Sequence, residues 1–122
     1  SAVIVGANEV SMRLAETLHG HRELCTSIVG FFDDRSADRL QPLGRFKLLG
    51  KLAELVSYVK TERIDVIFVA LPIRHVQRVM DLLDELRDST ASIYYVPDIF
   101  VFDLIQSRTG DVMGVPVVAM CE

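Results

Sequence analysis

The sequence predicts a three-layer α/β fold, with a mainly parallel sheet and helices on both faces. Three observations predict it. Short apolar, β-branched runs alternate with segments of helical periodicity, the pattern that parallel strands joined by crossover helices produce. The first run, Ala2-Val3-Ile4-Val5, is apolar at every position and stops at Gly6, as suits a strand buried on both faces. The length, 122 residues of which 50% are apolar, fits one domain with a core that needs no covalent staples.

The elements follow in order. After the first strand, Val10, Leu14 and Leu18 recur at four-residue spacing and mark one face of a helix that fades near Gly20. Cys25 to Phe32 is the second apolar run, closed by Asp33-Asp34. The polar stretch from Asp33 to Arg45 carries Pro42 and Gly44 and reads as a loop; Arg45 to Leu49 reads as a short strand before Gly50. Leu52, Leu55, Val56 and Val59 then fall on one face of a second helix. Ile64 to Leu71, rich in β-branched residues and stopped by Pro72, carries the strongest strand signal. Val76, Val79, Leu83 and Leu86 mark a third helix, with Met80 and Leu82 widening its face, and Ile93 to Val96 is a strand closed by Pro97.

From Ile99 the character changes. Ile99 to Ile105 is too apolar for a free linker and is expected to pack on the sheet or on a partner; Val115 to Met120 reads as a last strand after a polar stretch around Thr109-Gly110-Asp111. The expected division is a Rossmann-like nucleotide-binding domain over 1–98 and a C-terminal tail over 99–122.

Net charge is −4, with both signs interspersed. No basic stripe stands out, which argues against nucleic acid as a partner. Cys25 and Cys121 are far apart and lack metal-like neighbours, so they read as small apolar fillers in a reducing compartment. No uncharged stretch approaches the ~20 apolar residues of a bilayer span, and no signal peptide precedes the first strand. A chain that enters a strand directly after Ser1 is expected to be a segment of a longer protein.

Gly6-Ala7-Asn8-Glu9-Val10-Ser11 occupies the place of a dinucleotide-binding glycine fingerprint, directly after a strand and opening a helix. In that motif the first Gly makes the turn, the second admits a diphosphate, and the third lets helix meet strand. Only the first is present; Asn8 and Ser11 stand at the other two places. Asn tolerates the turn and caps a helix, yet its side chain would crowd a diphosphate, and Glu9 adds a negative charge nearby. Two readings stay open here: a turn that serves the fold alone, and a site for a nucleotide or other anion at the helix N-terminus.

Asp33 and Asp34 close the second strand where an acidic residue would hold a ribose hydroxyl, or they are simply a polar strand end. Arg35 is expected to pair with Asp38 rather than with a phosphate. Leu71 and Pro72 end a strand at the sheet's carboxyl edge, where ligands of open α/β folds collect. Arg74 follows as an anion contact or as a solvated helix start. His19 and His21 favour the first helix's dipole and have no companions for a metal. No nucleophile–base set falls together, so no catalytic residues are assigned.

These residues also carry a resemblance. Gly6-Ala7-Asn8, Val29-Gly30-Phe31-Phe32-Asp33-Asp34-Arg35, Leu48-Leu49-Gly50 and Ile64 to Pro72 resemble the cytosolic domain of bacterial polyprenyl-phosphate sugar-1-phosphate transferases. Val96-Pro97-Asp98-Ile99-Phe100, Phe102-Asp103-Leu104 and Gly114-Val115-Pro116-Val117-Val118 are similar to the stretch that leads into the transferase module of the undecaprenyl-phosphate glucose phosphotransferases. The resemblance covers essentially the whole chain. It implies a parent enzyme, at the cytoplasmic face of the bacterial inner membrane, that moves glucose 1-phosphate or a related hexose phosphate from a UDP-sugar to undecaprenyl phosphate in exopolysaccharide or capsule synthesis. Its membrane helices and its transferase module are outside this sequence and would be the domain's partners.

Domains of this type also precede membrane nucleotide-sugar dehydratases, and related ones hold a UDP-sugar, coenzyme A or a dinucleotide. The resemblance therefore implies a nucleotide-type ligand without choosing among NAD(P), a UDP-sugar and coenzyme A. The leading expectation is a non-catalytic nucleotide-binding or regulatory domain. Gly6, Ala7 and Asn8 would form its anion turn, Asp33 and Asp34 its ribose contact, and Leu71, Pro72 and Arg74 its far wall. The rival is a ligand-free scaffolding domain that forms a homo-oligomer through Phe100 to Ile105. An oxidoreductase fragment ranks last, lacking a full fingerprint and an acid/base pair.

Overall fold

A computed structural model describes residues 1–21, 25–40, 42–86, 90–96, 110–112 and 115–121. The chain order is β1 (Ala2–Val5), α1 (Glu9–Gly20), β2 (Ile28–Phe32), β3 (Leu48–Gly50), α2 (Leu55–Glu62), β4 (Val66–Val69), α3 (Ile73–Leu83), β5 (Ser92–Tyr95), β6 (Gly110–Val112) and β7 (Val115–Cys121). The sheet runs β3-β2-β1-β4-β5-β7-β6. Its first five strands are all parallel, whereas β7 lies antiparallel on β5 and β6 antiparallel on β7. This is the Rossmann-like α/β class that the strand–helix alternation predicts.

Strand geometry explains the apolar β1. Side chains alternate across a sheet, so Val3 and Val5 join one core with Phe32, Leu55, Ile67, Val69, Val79 and Ile93. Ala2 and Ile4 join the other with Leu14, Leu18, Phe31 and Phe68. The first core packs under α2 and α3, the second under α1. A central strand buried on both faces has no room for a polar residue. Phe31 and Phe32, adjacent in β2 and fully buried on opposite faces, make the same point.

Local chemistry trims several expected elements. β2 begins at Ile28 rather than at Cys25, because Cys25 sits in the left-handed region at φ 56° and cannot continue a strand. Cys25 is also exposed, so it is not the apolar filler its isolation suggests. β4 is shorter than Ile64 to Leu71: Ile64 N–H donates to Val59 O at the end of α2. The Leu52 helix opens with a 3₁₀ turn, Leu52–Glu54, and another, Ala37–Arg39, sits in the loop after β2. Gly110-Asp111, read as a polar stretch, begins β6. Ile99 to Ile105 lies outside the described residues.

The chain leaves β1 toward β2 on one side and later places β4 on the other. The carboxyl ends of β1, β2 and β4 therefore flank the point where strand order reverses, which is where open α/β sheets form a ligand crevice.

Candidate functional site

Backbone bonds knit the three strand ends together. Gly6 N–H donates to Phe32 O and Ala70 N–H to Val5 O, both at 2.8 Å. Gly6 turns the chain at φ +97°, and a Cβ there would lie 2.9 Å from Ala70 O. Only glycine fits that conformation and that approach.

The next three residues close on themselves. Asn8 caps α1: its Oδ1 accepts Ser11 N–H at 3.0 Å, while Asn8 N–H donates to Ser11 Oγ at 2.9 Å. This reciprocal pair is a capping box with serine in the place usually held by Glu or Gln. Asn8 Nδ2 also donates to Ala70 O at 2.5 Å, tying the turn to β4. Ser11 is completely buried, which explains why a small residue stands at the third fingerprint position.

Asp33 and Arg35 lock the turn from the β2 side. Asp33 is 3% exposed. Its Oδ2 accepts Ala7 N–H at 2.9 Å and Arg35 Nη2 at 2.8 Å. Its Oδ1 accepts the Arg35 backbone N–H at 2.9 Å and Arg35 Nε at 3.0 Å. Arg35 Nη2 also donates to Ala7 O at 2.7 Å, so both polar groups of Ala7 are claimed. Burial pushes the Asp33 carboxyl up in pKa, but the Arg35 guanidinium, the two backbone amides and the Arg35 charge together outweigh it. The net effect holds Asp33 below its ordinary value of 3.8. The expected Arg35–Asp38 pair does not form: the fork of Arg35 lies across Asp33, which offers both carboxylate oxygens in a buried setting where the attraction is less screened.

Asp34 has a different task. Its Oδ1 accepts Leu52 N–H at 2.9 Å, satisfying a first-turn amide, and its Oδ2 meets Arg78 Nη2 of α3 at 2.7 Å. Asp34 thereby joins β2, the Leu52 turn and α3.

Between these groups lies an open crevice of about 350 Å³. Asn8, Asp33, Asp34, Leu71, Pro72 and Arg74, all expected at the site, line it together. Gly6 and Ala7 form the turn behind it, with Ala7 buried. Arg35, Leu52, His75 and Arg78 complete the lining. Arg78 had a legible signal, since it follows Arg74 by four residues and so shares its helix face. His75 shares Arg74's position at the start of the helix after Pro72, whereas Leu52 had no signal, because only the folded chain brings it to β2. Of the three crevice arginines, Arg35 and Arg78 are matched to carboxylates, whereas Arg74 has no ion-pair or hydrogen-bond partner among the described residues. The crevice thus carries one unmatched positive charge beside an apolar wall of Leu52, Leu71 and Pro72.

Elsewhere, His21 Nδ1 lies 2.7 Å from Thr17 O at the end of α1, and His19 stacks edge-on with Phe46. Among the described residues no three His, Cys, Asp or Glu gather as a metal-ligand set, and no helix is long and apolar enough to cross a membrane.

Comparison with known proteins places this geometry. The family described as a CoA-binding domain matches residues 1–97. The chain is 30% identical over 118 residues to a UDP-glucose:undecaprenyl-phosphate glucose-1-phosphate transferase of Klebsiella pneumoniae, covering 94% of this chain and 24% of that relative. A protein of the same description from Escherichia coli K12 is 35% identical over 71 residues, covering 58% of this chain and 15% of the relative. One from Xanthomonas campestris is 27% identical over 120 residues, covering 95% and 24%. The chain therefore spans about a quarter of the length of the first and third of these relatives. Among solved structures, UDP-D-quinovosamine 4-dehydrogenase from Vibrio fischeri superposes with a TM-score of 0.63 at 17% identity, over 98% of this chain and 91% of that one. That likeness concerns the fold.

Proposed function

Since the chain belongs to the family of CoA-binding domains, we propose that it is a nucleotide-binding, non-catalytic domain of an undecaprenyl-phosphate glucose-1-phosphate transferase. The observation that carries this reading is the crevice at the strand-order reversal, where Arg74, beside an apolar wall, has no partner among the described residues. An apolar surface for a base or pantetheine and one spare cation for a phosphate is the minimum a nucleotide needs. The remaining polar lining is Asn8, the arginines, two carboxylates bonded to protein donors and the His75 imidazole.

The domain would regulate a transferase module through α3. Arg74 and Arg78 sit on that helix, and its Val79 and Leu83 pack in the same core as Ile93 of β5. β5 in turn pairs with β7, in the tail that resembles the lead into the module. A ligand that shifts α3 has a packed route to the chain's end.

Isothermal titration of the purified domain with coenzyme A, UDP-glucose, NAD(H) and NADP(H) tests the reading. Saturable heat from at least one of them is expected. Absence of heat and of any thermal shift at millimolar ligand with all of them would remove the nucleotide role and leave a scaffolding domain.

A further inference from the structure

We infer that the crevice selects nucleotides carrying a phosphomonoester on the ribose, and holds that phosphate on the arginines rather than on the glycine turn. The inference rests on the nucleotide-binding reading above and names the ligand chemistry.

Three amides of the turn are already taken by the protein itself. In a diphosphate-binding fold the amides after the first glycine point at the ligand. Here Ala7 N–H goes to Asp33 Oδ2, Asn8 N–H to Ser11 Oγ and Ser11 N–H to Asn8 Oδ1. The Glu9 and Val10 amides of the first helical turn have no acceptor among the described residues, but a diphosphate reaching them would meet the Asn8 side chain and the Glu9 carboxylate.

The opposite holds at the end of β2. In dinucleotide folds this position decides the ribose: an acidic residue takes a bare hydroxyl, whereas a nearby arginine accommodates a phosphate. Both carboxylates of this chain are spoken for, Asp33 by four donors and Asp34 by Leu52 N–H and Arg78. What the crevice has to spare is guanidinium. Arg74 has no partner, and Arg35 Nη1 has no acceptor, among the described residues. Arg78 is 63% exposed and shares only one oxygen of Asp34. A planar fork suits the doubly charged phosphomonoester, and the spare fork of Arg74 beside the free edges of Arg35 and Arg78 suits it better than a diol.

Matched pairs of ligands isolate that single group. Titration of the domain with NADP⁺ against NAD⁺, and with coenzyme A against its 3′-dephospho form, compares molecules that differ by one phosphomonoester. In at least one pair the phosphorylated member should bind about tenfold tighter or more. That advantage should shrink to within about twofold in Arg74→Ala and return in part in Arg74→Lys, while melting temperatures stay level. Equal binding within each pair, or a phosphate preference untouched in both Arg74→Ala and Arg78→Ala, would overturn the inference and leave nucleotide binding intact. Binding of none of the four would instead remove the nucleotide reading, and this inference with it.

Discussion

Asp33 and Arg35, two residues apart in sequence, face each other as a bidentate pair that holds both backbone polar groups of Ala7. The carboxylate takes the Ala7 N–H and the guanidinium takes the Ala7 carbonyl. The first turn of the fold is therefore held by the end of its neighbouring strand. Removing either side chain leaves polar groups unsatisfied where water has little access.

Asp33→Ala should be among the costlier polar substitutions in the chain. It strands the Ala7 amide and deprives Arg35 of its partner, a loss of about 2–3 kcal/mol. A drop of roughly 6–12 °C in melting temperature would express it. A drop under about 2 °C would show that the clamp contributes little.

The same pair sets an acid limb. Asp33 is held below its ordinary pKa of 3.8 in the folded state, so the folded protein prefers the ionised form more than the unfolded chain does. Its contribution is complete above the unfolded value and is lost as pH falls through it toward the folded value. Chemical denaturation of wild type and Asp33→Asn across pH 2–6 should therefore show the two converging at the acid end. Parallel curves would contradict the assignment.

Gly6→Ala tests the turn. The new Cβ would lie 2.9 Å from both Ala70 O and Leu71 Cδ2, at a φ of +97° that side chains avoid. Strain and contact together should cost about 2–4 kcal/mol. Gly20→Ala, a position open to 4 Å, is the control and should be neutral or mildly stabilising.

Ser11→Ala removes the acceptor of Asn8 N–H and half of the capping box. A loss of about 1 kcal/mol is expected. Hydrogen exchange should show it first at the α1 N-terminus, with the sheet unaffected.

Much of the architecture is legible in the linear pattern. β1 had to be central, because a strand apolar at every position must be covered on both faces, and the helices are marked by Leu14 and Leu18, Leu55 and Val59, and Val79 and Leu83. Asn8, Asp33, Asp34, Leu71, Pro72 and Arg74 were placed by topology: residues at the carboxyl ends of β1, β2 and β4 share one edge whatever their side chains do. The bonds those side chains make were not legible. Nothing in the spacing says that Arg35 turns back on Asp33 instead of reaching Asp38, or that Asp34 meets Arg78 of α3.

Hydrophobic periodicity and strand punctuation thus determined the α/β class, the order of elements and the location of the crevice, because burial is a property of pattern and acts along the whole chain. Tertiary structure alone decided which amides and charges remain open within it. Hydrogen bonds are short and directional, so their pairing depends on positions of a few tenths of an ångström that arise only when β1, β2, β4 and α3 are packed together. By that pairing the Ala7 and Asn8 amides are taken, and Arg74 is left without a partner among the described residues.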